Sequence, residues 1–196
     1  HEDRQHWAFR KPESVAPPEV QATDRVRTPI DPFLLARLEQ DGLGYSPDAD
    51  RLTLVRRAYM NLIGLPPSPE EVQQFLDDER PDAYEQLIDR LLESPRYGER
   101  WGRHWLDAAG YVDVRLYDGD LSTIYFNEGM WRYRDYIIRS FNADKPYDRL
   151  LVEQLAGDEL FDWESSETWS DEMRDGLVAT SYLRNIEDPT SEAQYG

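Results

Sequence analysis

The segment SPRYGERWGRHWLD, residues 94–107, contains the pattern that decides the predicted fold. Ser94 can accept a hydrogen bond from a free backbone N–H at the start of a helix. Pro95 suits the first turn, because the N–H that proline lacks has no partner there in any helix. Trp101 and Trp105 lie about one turn apart and would share a face. The segment therefore predicts an α-helix with two tryptophans on one side.

The same signals recur on both sides of this segment. Ser68-Pro69 repeats the combination of capping residue and proline, and Glu71 completes a capping box. Gly42 and Gly64 can take the left-handed conformation that ends a helix. Between these signals, apolar residues recur with helical spacing. The predicted capping residues are Asp31, Asp50, Ser68, Asp82 and Ser94. The predicted helices lie near residues 32–41, 51–63, 69–76, 82–92, 95–106, 128–141, 147–157 and 173–183.

The range Gly110–Asn127 loses this periodicity and is predicted to be a long loop. No convincing pair of strands is recognisable in the sequence. The predicted fold class is all-α, a multi-helix orthogonal bundle with an extended Pro-rich N-terminal arm and irregular loops. The predicted domains are an arm over residues 1–28, a helical domain over 29–186 and a C-terminal tail over 187–196. Because the chain begins with His rather than Met, we expect a piece of a longer protein, with a further segment after the tail.

The overall charge argues against several classes of partner. The chain has 22 basic and 40 acidic side chains, which gives a net charge of −18 at pH 7. Nucleic acid and anionic lipid both need a basic surface, so neither is an expected partner. With no cysteine, the chain cannot form a thiolate metal site or attach haem covalently. Any haem must therefore belong to a partner or an upstream segment. No apolar run approaches the roughly 20 residues that span a membrane.

The charged residues are unevenly distributed along the chain. After Leu151 the only basic residues are Arg174 and Arg184, whereas acidic residues continue throughout. This quarter is either a solvated acidic face or a surface that docks onto a basic partner. Lysine occurs only at Lys11 and Lys145, and every other cation is arginine. Since guanidinium pairs with carboxylates and stacks on rings, we expect arginine–carboxylate–aromatic networks between helices, mostly with a structural role.

Two residues of the central segment are candidate catalytic residues. His104 and Asp107 would share one face of the predicted helix. A carboxylate can orient an imidazole as a general base or as a metal ligand. The alternative interpretation is a packed histidine that bonds a neighbouring carboxylate or carbonyl, and Arg103 is also placed to pair with Asp107.

Three acidic residues of the predicted loop, Asp113, Asp118 and Asp120, are candidate metal ligands. Ca²⁺ takes about six to eight oxygen ligands on a flexible loop, and Gly119 would allow a tight turn. The order of these residues is not that of an EF-hand, and a plain acidic turn is the alternative. The sequence contains no nucleophile elbow, phosphate-binding loop or dinucleotide fingerprint. We therefore do not expect catalysis by this chain on its own.

Several segments together resemble one known family. They are His6–Phe9, Pro29–Leu38, Leu62–Val72, Leu91–Trp101, His104–Asp107, Trp131–Arg139, Phe141–Asp148 and Glu153–Asp158. In this order they are similar to the planctomycete cytochrome-c-associated domain family, domain of unknown function 1549. The resemblance covers most of the chain. The sequence departs from the family pattern after Tyr111, where only Asp113 aligns.

The resemblance implies an exported protein of the periplasm or cell envelope, with protein partners in a larger complex. The preferred function is a non-catalytic helical interaction or accessory domain in a cytochrome-containing or membrane redox assembly. One alternative is a metal-dependent, hydrolase-type domain that uses the acidic loop with His104 and Asp107. The other is an electron-transfer accessory subunit with Trp101, Trp105 and Trp131 beside a haem of a partner.

Overall fold

The computed structural model describes residues 6–117, 120–126, 129–163 and 165–184, with the backbone alone at residues 7, 114–117, 120–126 and 184. Contacts within the chain separate two compact units, His1–Ala49 and Asp50–Gly196. The described residues form eight α-helices, which confirms the predicted all-helical fold class. The predicted domain boundaries stay predictions.

The first unit contains 3-10 turns at Trp7–Phe9 and Thr23–Arg25 and helix α1, Asp31–Gln40. The predicted capping role of Asp31 is wrong, because Ile30 is the capping position and Asp31 is already the first helical residue. The Asp31 carboxylate instead accepts the backbone N–H of Thr28 at 2.6 Å, and so closes the turn that leads into the helix. Gly42 follows α1 with a φ of 68°, in agreement with its predicted left-handed conformation.

The second unit begins with helices α2 (Arg51–Leu62), α3 (Pro69–Asp77) and α4 (Ala83–Leu92). Both bonds of the predicted capping box are present, from Glu71 N–H to Ser68 Oγ at 3.2 Å and from Ser68 N–H to Glu71 Oε2 at 2.7 Å. Asp82 precedes α4 but makes no capping bond, and its carboxylate accepts the Gln86 amide at 2.6 Å instead. The three helices enclose a core of Val55, Ala58, Tyr59, Phe75, Ala83, Leu87 and Leu91.

The same unit continues with helices α5 (Pro95–Ala108), α6 (Trp131–Asn142), α7 (Tyr147–Ala156) and α8 (Asp171–Ala179). A 3-10 segment, Thr180–Arg184, follows α8 and packs against α7. Ser94 caps α5 as predicted. The core of this part consists of Leu106, Ala109, Tyr133, Tyr136, Ile137, Leu150 and Ala179. None of the described helices combines the length and the apolar character needed to cross a membrane.

The segment between α5 and α6 contains a β-hairpin, so the prediction of a loop without strands is wrong there. Strand β1, Val114–Tyr117, pairs antiparallel with β2, Asp120–Phe126, with an irregularity after Leu116. The signal was present in the sequence, because Ile124 and Tyr125 are of the types that favour strands and Asp118-Gly119 is a dipeptide typical of a two-residue hairpin turn. A two-stranded hairpin is too small to change the fold class.

Helices α5 and α6 approach each other closely at Gly98. A Cβ atom at this position would fall on the Ile138 carbonyl oxygen and lie 2.7 Å from Asn142 Cγ. Asn142 uses this proximity, since its Oδ1 accepts the Gly98 N–H at 2.7 Å and its amide donates to the Pro95 carbonyl at 3.0 Å. The first N–H groups of a helix have no partner within the helix. Asn142 therefore satisfies the start of α5 from the end of α6.

We expect Gly98→Ala to lower the free energy of unfolding by about 2 kcal/mol or more, because the methyl group overlaps a backbone carbonyl and displaces Asn142. Gly102→Ala is the matched control on α5. A Cβ there would lie 3.3 Å from the Ile137 Cγ2 methyl, which can move. The higher helix propensity of alanine offsets this contact, and the change should stay within about 1 kcal/mol. Urea unfolding measures both values, and equal stability of the two variants would contradict the close approach.

Candidate functional site

The predicted catalytic pair lies on the exposed side of α5 without joining. The Arg103 Nε atom is 2.8 Å from Asp107 Oδ1, so Asp107 is paired with arginine. The His104 ring meets the ring of Trp101 edge-on, with centroids 5.4 Å apart. Among the described side chains, no hydrogen bond links His104 to Asp107. The catalytic role of the two residues stays a prediction, and their arrangement resembles surface pairing along one helix.

Of the predicted metal ligands, only Asp113 has a described side chain. Its Oδ1 atom accepts the Tyr111 hydroxyl and also an N–H of Arg134 at 3.2 Å. Burial, together with the neighbouring Asp113 carboxylate, raises the pKa of Tyr111. Asp118 and the side chain of Asp120 lie outside the described residues. Within the described part, no three histidine or acidic side chains are grouped to hold a metal ion. The calcium site stays a prediction.

A cavity of about 390 Å³ lies between α3 and α4 and is lined by Phe75, Asp78, Arg80 and Arg90, among others. The Arg80 guanidinium binds the Asp78 carboxylate through two bonds, at 2.8 Å and 2.6 Å. Those hydrogen bonds lower the pKa of Asp78 to about 2. Because Arg80 is neutralised in this way, the cavity offers less positive charge to an anion than its lining residues indicate.

The described residues contain one buried carboxylate that is surrounded by donors. Glu153 on α7 is 6% exposed. Its Oε2 atom accepts the Tyr136 hydroxyl at 2.7 Å and Lys145 Nζ at 2.5 Å, and its Oε1 atom accepts Arg149 Nε at 2.6 Å. Burial acts to raise the pKa of Glu153, but the three donors outweigh it and the pKa is lowered. We call these four residues the Glu153 cluster.

The turn between α6 and α7 places Lys145 in this cluster. Asp144 takes a left-handed conformation with a φ of 47°, which is unusual for a residue other than glycine. The next N–H, that of Lys145, donates to the Ser140 carbonyl at 2.9 Å and closes α6. The ammonium group then lies 4.6 Å from the centroid of the Tyr136 ring. The segment Phe141–Asp148, which resembles the family, therefore has a structural role here, because it positions the Lys145 ammonium group next to Glu153.

A second buried polar group joins three helices. Gln154 on α7 is 1% exposed, and its Oε1 atom accepts the Tyr133 hydroxyl of α6 at 2.6 Å and Trp105 Nε1–H of α5 at 3.0 Å. The Gln154 amide donates to the Leu150 carbonyl at 3.0 Å. Burial raises the pKa of Tyr133 to about 12, so this hydroxyl stays protonated and can donate. Gln154 therefore fixes the positions of α5 and α6 relative to α7.

Networks of this kind were expected in general, but neither Glu153 nor Gln154 was predicted to be a member of one. The available signal was a polar pair inside the otherwise apolar run of α7, between Val152 and Leu155. Polar residues at the apolar spacing of a helix must find partners when they are buried. The expected arginine is present as Arg149, while the more buried cation is Lys145, one of only two lysines.

Several large aromatic side chains face the solvent on these helices. Trp101 is 37% exposed, Trp131 50% and Tyr147 65%. Tyr147 meets Trp105 edge-on with centroids 6.1 Å apart. Arg132 lies 5.1 Å from the Trp131 ring. In its described part, the second unit therefore combines hydrogen-bonded polar side chains in the interior with partly exposed aromatic rings on the surface.

These features define a helical domain whose buried polar residues connect helices and whose aromatic residues are partly exposed. The chain belongs to the PSCyt2 family, proteins of unknown function (DUF1549), whose family model matches residues 29–195. The resemblance drawn from the sequence is confirmed. No curated protein and no solved structure matches the chain.

We expect Glu153→Gln to lower the free energy of unfolding by about 3 kcal/mol at neutral pH, because it leaves Lys145 without its ion-pair partner. The exposed Glu85→Gln on α4 is the control and should change little. The folded pKa of Glu153 lies below its ordinary value of 4.5. Its contribution is therefore present above about pH 4.5 and lost as the pH falls through the folded pKa.

The difference between the wild type and Glu153→Gln should shrink as the pH is lowered below that value. Urea unfolding at a series of pH values measures it. A difference that stays constant down to acid pH would show that the carboxylate charge is not what stabilises the cluster.

Proposed function

We propose that the chain is a non-catalytic interaction or accessory domain of an exported protein, in a cytochrome-containing or membrane redox assembly. The observation that carries the proposal is the outward face of α7. Tyr147, Val152 and Leu155 are 65%, 45% and 59% exposed. Exposed apolar and aromatic side chains are typical of protein interfaces.

The two sides of α7 differ sharply in chemistry. Its inner side carries Glu153 and Gln154, which hold neighbouring helices through hydrogen bonds. Val152 and Leu155 are exposed and lie three positions apart, so they are neighbours on the outer side of the helix, and the exposed Tyr147 lies at its start. Since Tyr147 also packs against Trp105, apolar surface continues from α7 towards α5. A partner that covers this side would bury rings without disturbing the polar groups behind them.

The arrangement of the Glu153 cluster supports a structural role over a catalytic one. A general acid or base must reach a proton of the substrate. The carboxylate of Glu153 is 6% exposed and already accepts three side-chain donors. Its hydrogen-bonding capacity is used to hold α6 and α7 together.

The family name PSCyt2 supports the cytochrome association that we propose. Export to the periplasm or cell envelope is proposed on the same basis. The acidic surface of the chain, with its net charge of −18, is compatible with docking onto a basic protein.

A photo-reactive amino acid at Tyr147 is expected to produce one discrete cross-linked protein in an envelope extract of the source organism. The same amino acid at Glu85, an exposed position on α4, is the matched control and should produce none. A haem stain of the cross-linked band tests the cytochrome association. Equal patterns from the two positions would contradict an interface on α7.

An electron-transfer accessory role is a second candidate, favoured by a run of neighbouring rings. The Trp105 ring contacts the exposed ring of Tyr147. Its Nε1 atom lies 3.3 Å from the Tyr133 hydroxyl oxygen. The Tyr133 ring stacks with that of Tyr136 at 6.3 Å. Such a run connects the surface to the interior. Trp101 is itself partly exposed, as this candidate requires. A cross-linked partner without haem would exclude this role.

The docking domain and the metal-dependent alternative differ in the heat that is expected when metal ions are added. If the domain acts by docking, titration with Ca²⁺, Mg²⁺ or Zn²⁺ should give no heat of specific binding and no shift in melting temperature. Asp113→Asn is the control, because Asp113 is the exposed member of the acidic loop with a described side chain. Heat that appears with the wild type and disappears with Asp113→Asn would favour a metal site and count against our proposal.

A further inference from the structure

A second exposed aromatic surface lies between α7 and α8. The rings of Phe161, Trp163 and Trp169 form a row, with centroids 5.4 Å apart for the first pair and 5.5 Å for the second, both edge-to-face. Trp169 at the end of the row is 47% exposed, and Leu160 is 36% exposed. We call these four residues the Trp169 patch.

The patch is anchored to the body of the second unit. A Cβ at Gly176 of α8 would lie 2.9 Å from Phe161 Cε2, so the Phe161 ring packs directly on the α8 backbone. Trp163 Nε1–H donates to the Asp158 carbonyl. Trp169 contacts the anchored Trp163 ring and directly precedes Ser170, which caps α8. The position of Trp169 is therefore fixed twice, through its ring by Trp163 and through its backbone by the start of α8.

The chain around the patch is strongly acidic. Residues 158–172 contain seven acidic residues and no lysine or arginine. Glu159 and Glu167 are exposed, and among the described side chains neither belongs to an ion pair. Asp171 pairs with Arg174 at 2.7 Å. An exposed ring in a segment that carries exposed carboxylates suits a planar cation, because a guanidinium can both stack on a ring and donate to carboxylates.

We propose that the Trp169 patch docks an arginine-bearing segment of a protein partner. The inference rests on the proposed interaction function and adds the chemical class of the partner. Charge complementarity selects this occupant, since a second copy of a chain with a net charge of −18 would be repelled. Arginine is favoured over lysine because the compact ammonium group forms neither a planar stack nor a bidentate bond.

The test is a titration of the full chain with a short synthetic peptide that carries several arginines. Matched peptides replace every arginine by lysine or by glutamine, and calorimetry measures the affinity. The arginine peptide should bind most tightly, with an affinity that falls as salt is added. Trp169→Ala should weaken binding about tenfold or more. Trp131→Ala removes another exposed tryptophan, 50% exposed, and should leave the affinity unchanged.

The contribution of charge is tested by neutralising two carboxylates. Glu159→Gln combined with Glu167→Gln should weaken binding about threefold or more and reduce its salt dependence. Glu85→Gln combined with Glu99→Gln removes the same charge from exposed positions on α4 and α5 and is expected to have little effect. A loss that is the same for both double variants would show general attraction to an acidic protein, which overturns the inference.

Two further results would overturn it. One is equal affinity for the arginine and lysine peptides, and the other is an unchanged affinity of Trp169→Ala. Either result, combined with a discrete cross-link at Tyr147, would refute arginine binding by the Trp169 patch and would still support the proposed function. Selective arginine binding without any cross-link at Tyr147 would refute the interface on α7 and keep the patch.

Discussion

The ion pair between the partly buried Lys145 and the buried Glu153 is the interaction on which the second half of the fold depends. A carboxylate without a partner costs several kcal/mol in a protein interior, so helix α7 is restricted to positions that keep Glu153 paired. The restriction extends to the turn before α7, because Lys145 reaches Glu153 after a left-handed residue at Asp144. That conformation costs about 1 kcal/mol for a residue with a Cβ. The hydrogen bonds that Lys145 donates, from its main-chain N–H to Ser140 and from its ammonium group to Glu153, compensate this cost.

Helix α5 joins this arrangement through polar contacts of a different kind. Asn142 binds the first turn of α5 at Gly98, and Gln154 binds the Trp105 indole further along the same helix. Apolar contacts alone would tolerate sliding or rotation, because their energy depends mainly on buried area. Hydrogen bonds at two separated points of α5 prevent such sliding and rotation, because either motion would break them. The polar residues therefore determine the relative positions of α5, α6 and α7, while the apolar core supplies most of the stability.

The helices could be predicted because their start and stop signals are local. Ser68 and its capping partner are three residues apart, and Gly42 needs no partner at all. Asp31 and Asp82 show the limit of this reasoning, since each carboxylate has several nearby donors and the sequence does not rank them. The bonds at Gln154 were beyond prediction for a further reason. Trp105 is 49 residues away from it in the chain, and only the folded packing of α5 against α7 brings the two together.

The residues that identified the family mostly maintain the fold. Asn142 caps a neighbouring helix, Lys145 neutralises Glu153, and Trp105 uses its indole N–H inside the core. A family motif built from such residues specifies a scaffold, and by itself it says little about what the scaffold binds. Chemistry that distinguishes one member should therefore be sought on surfaces outside the motif segments. Trp169 lies on such a surface, since it is anchored by the scaffold but belongs to none of the segments that carry the resemblance. Binding specificity can then change at its position without cost to the pairing of Lys145 with Glu153.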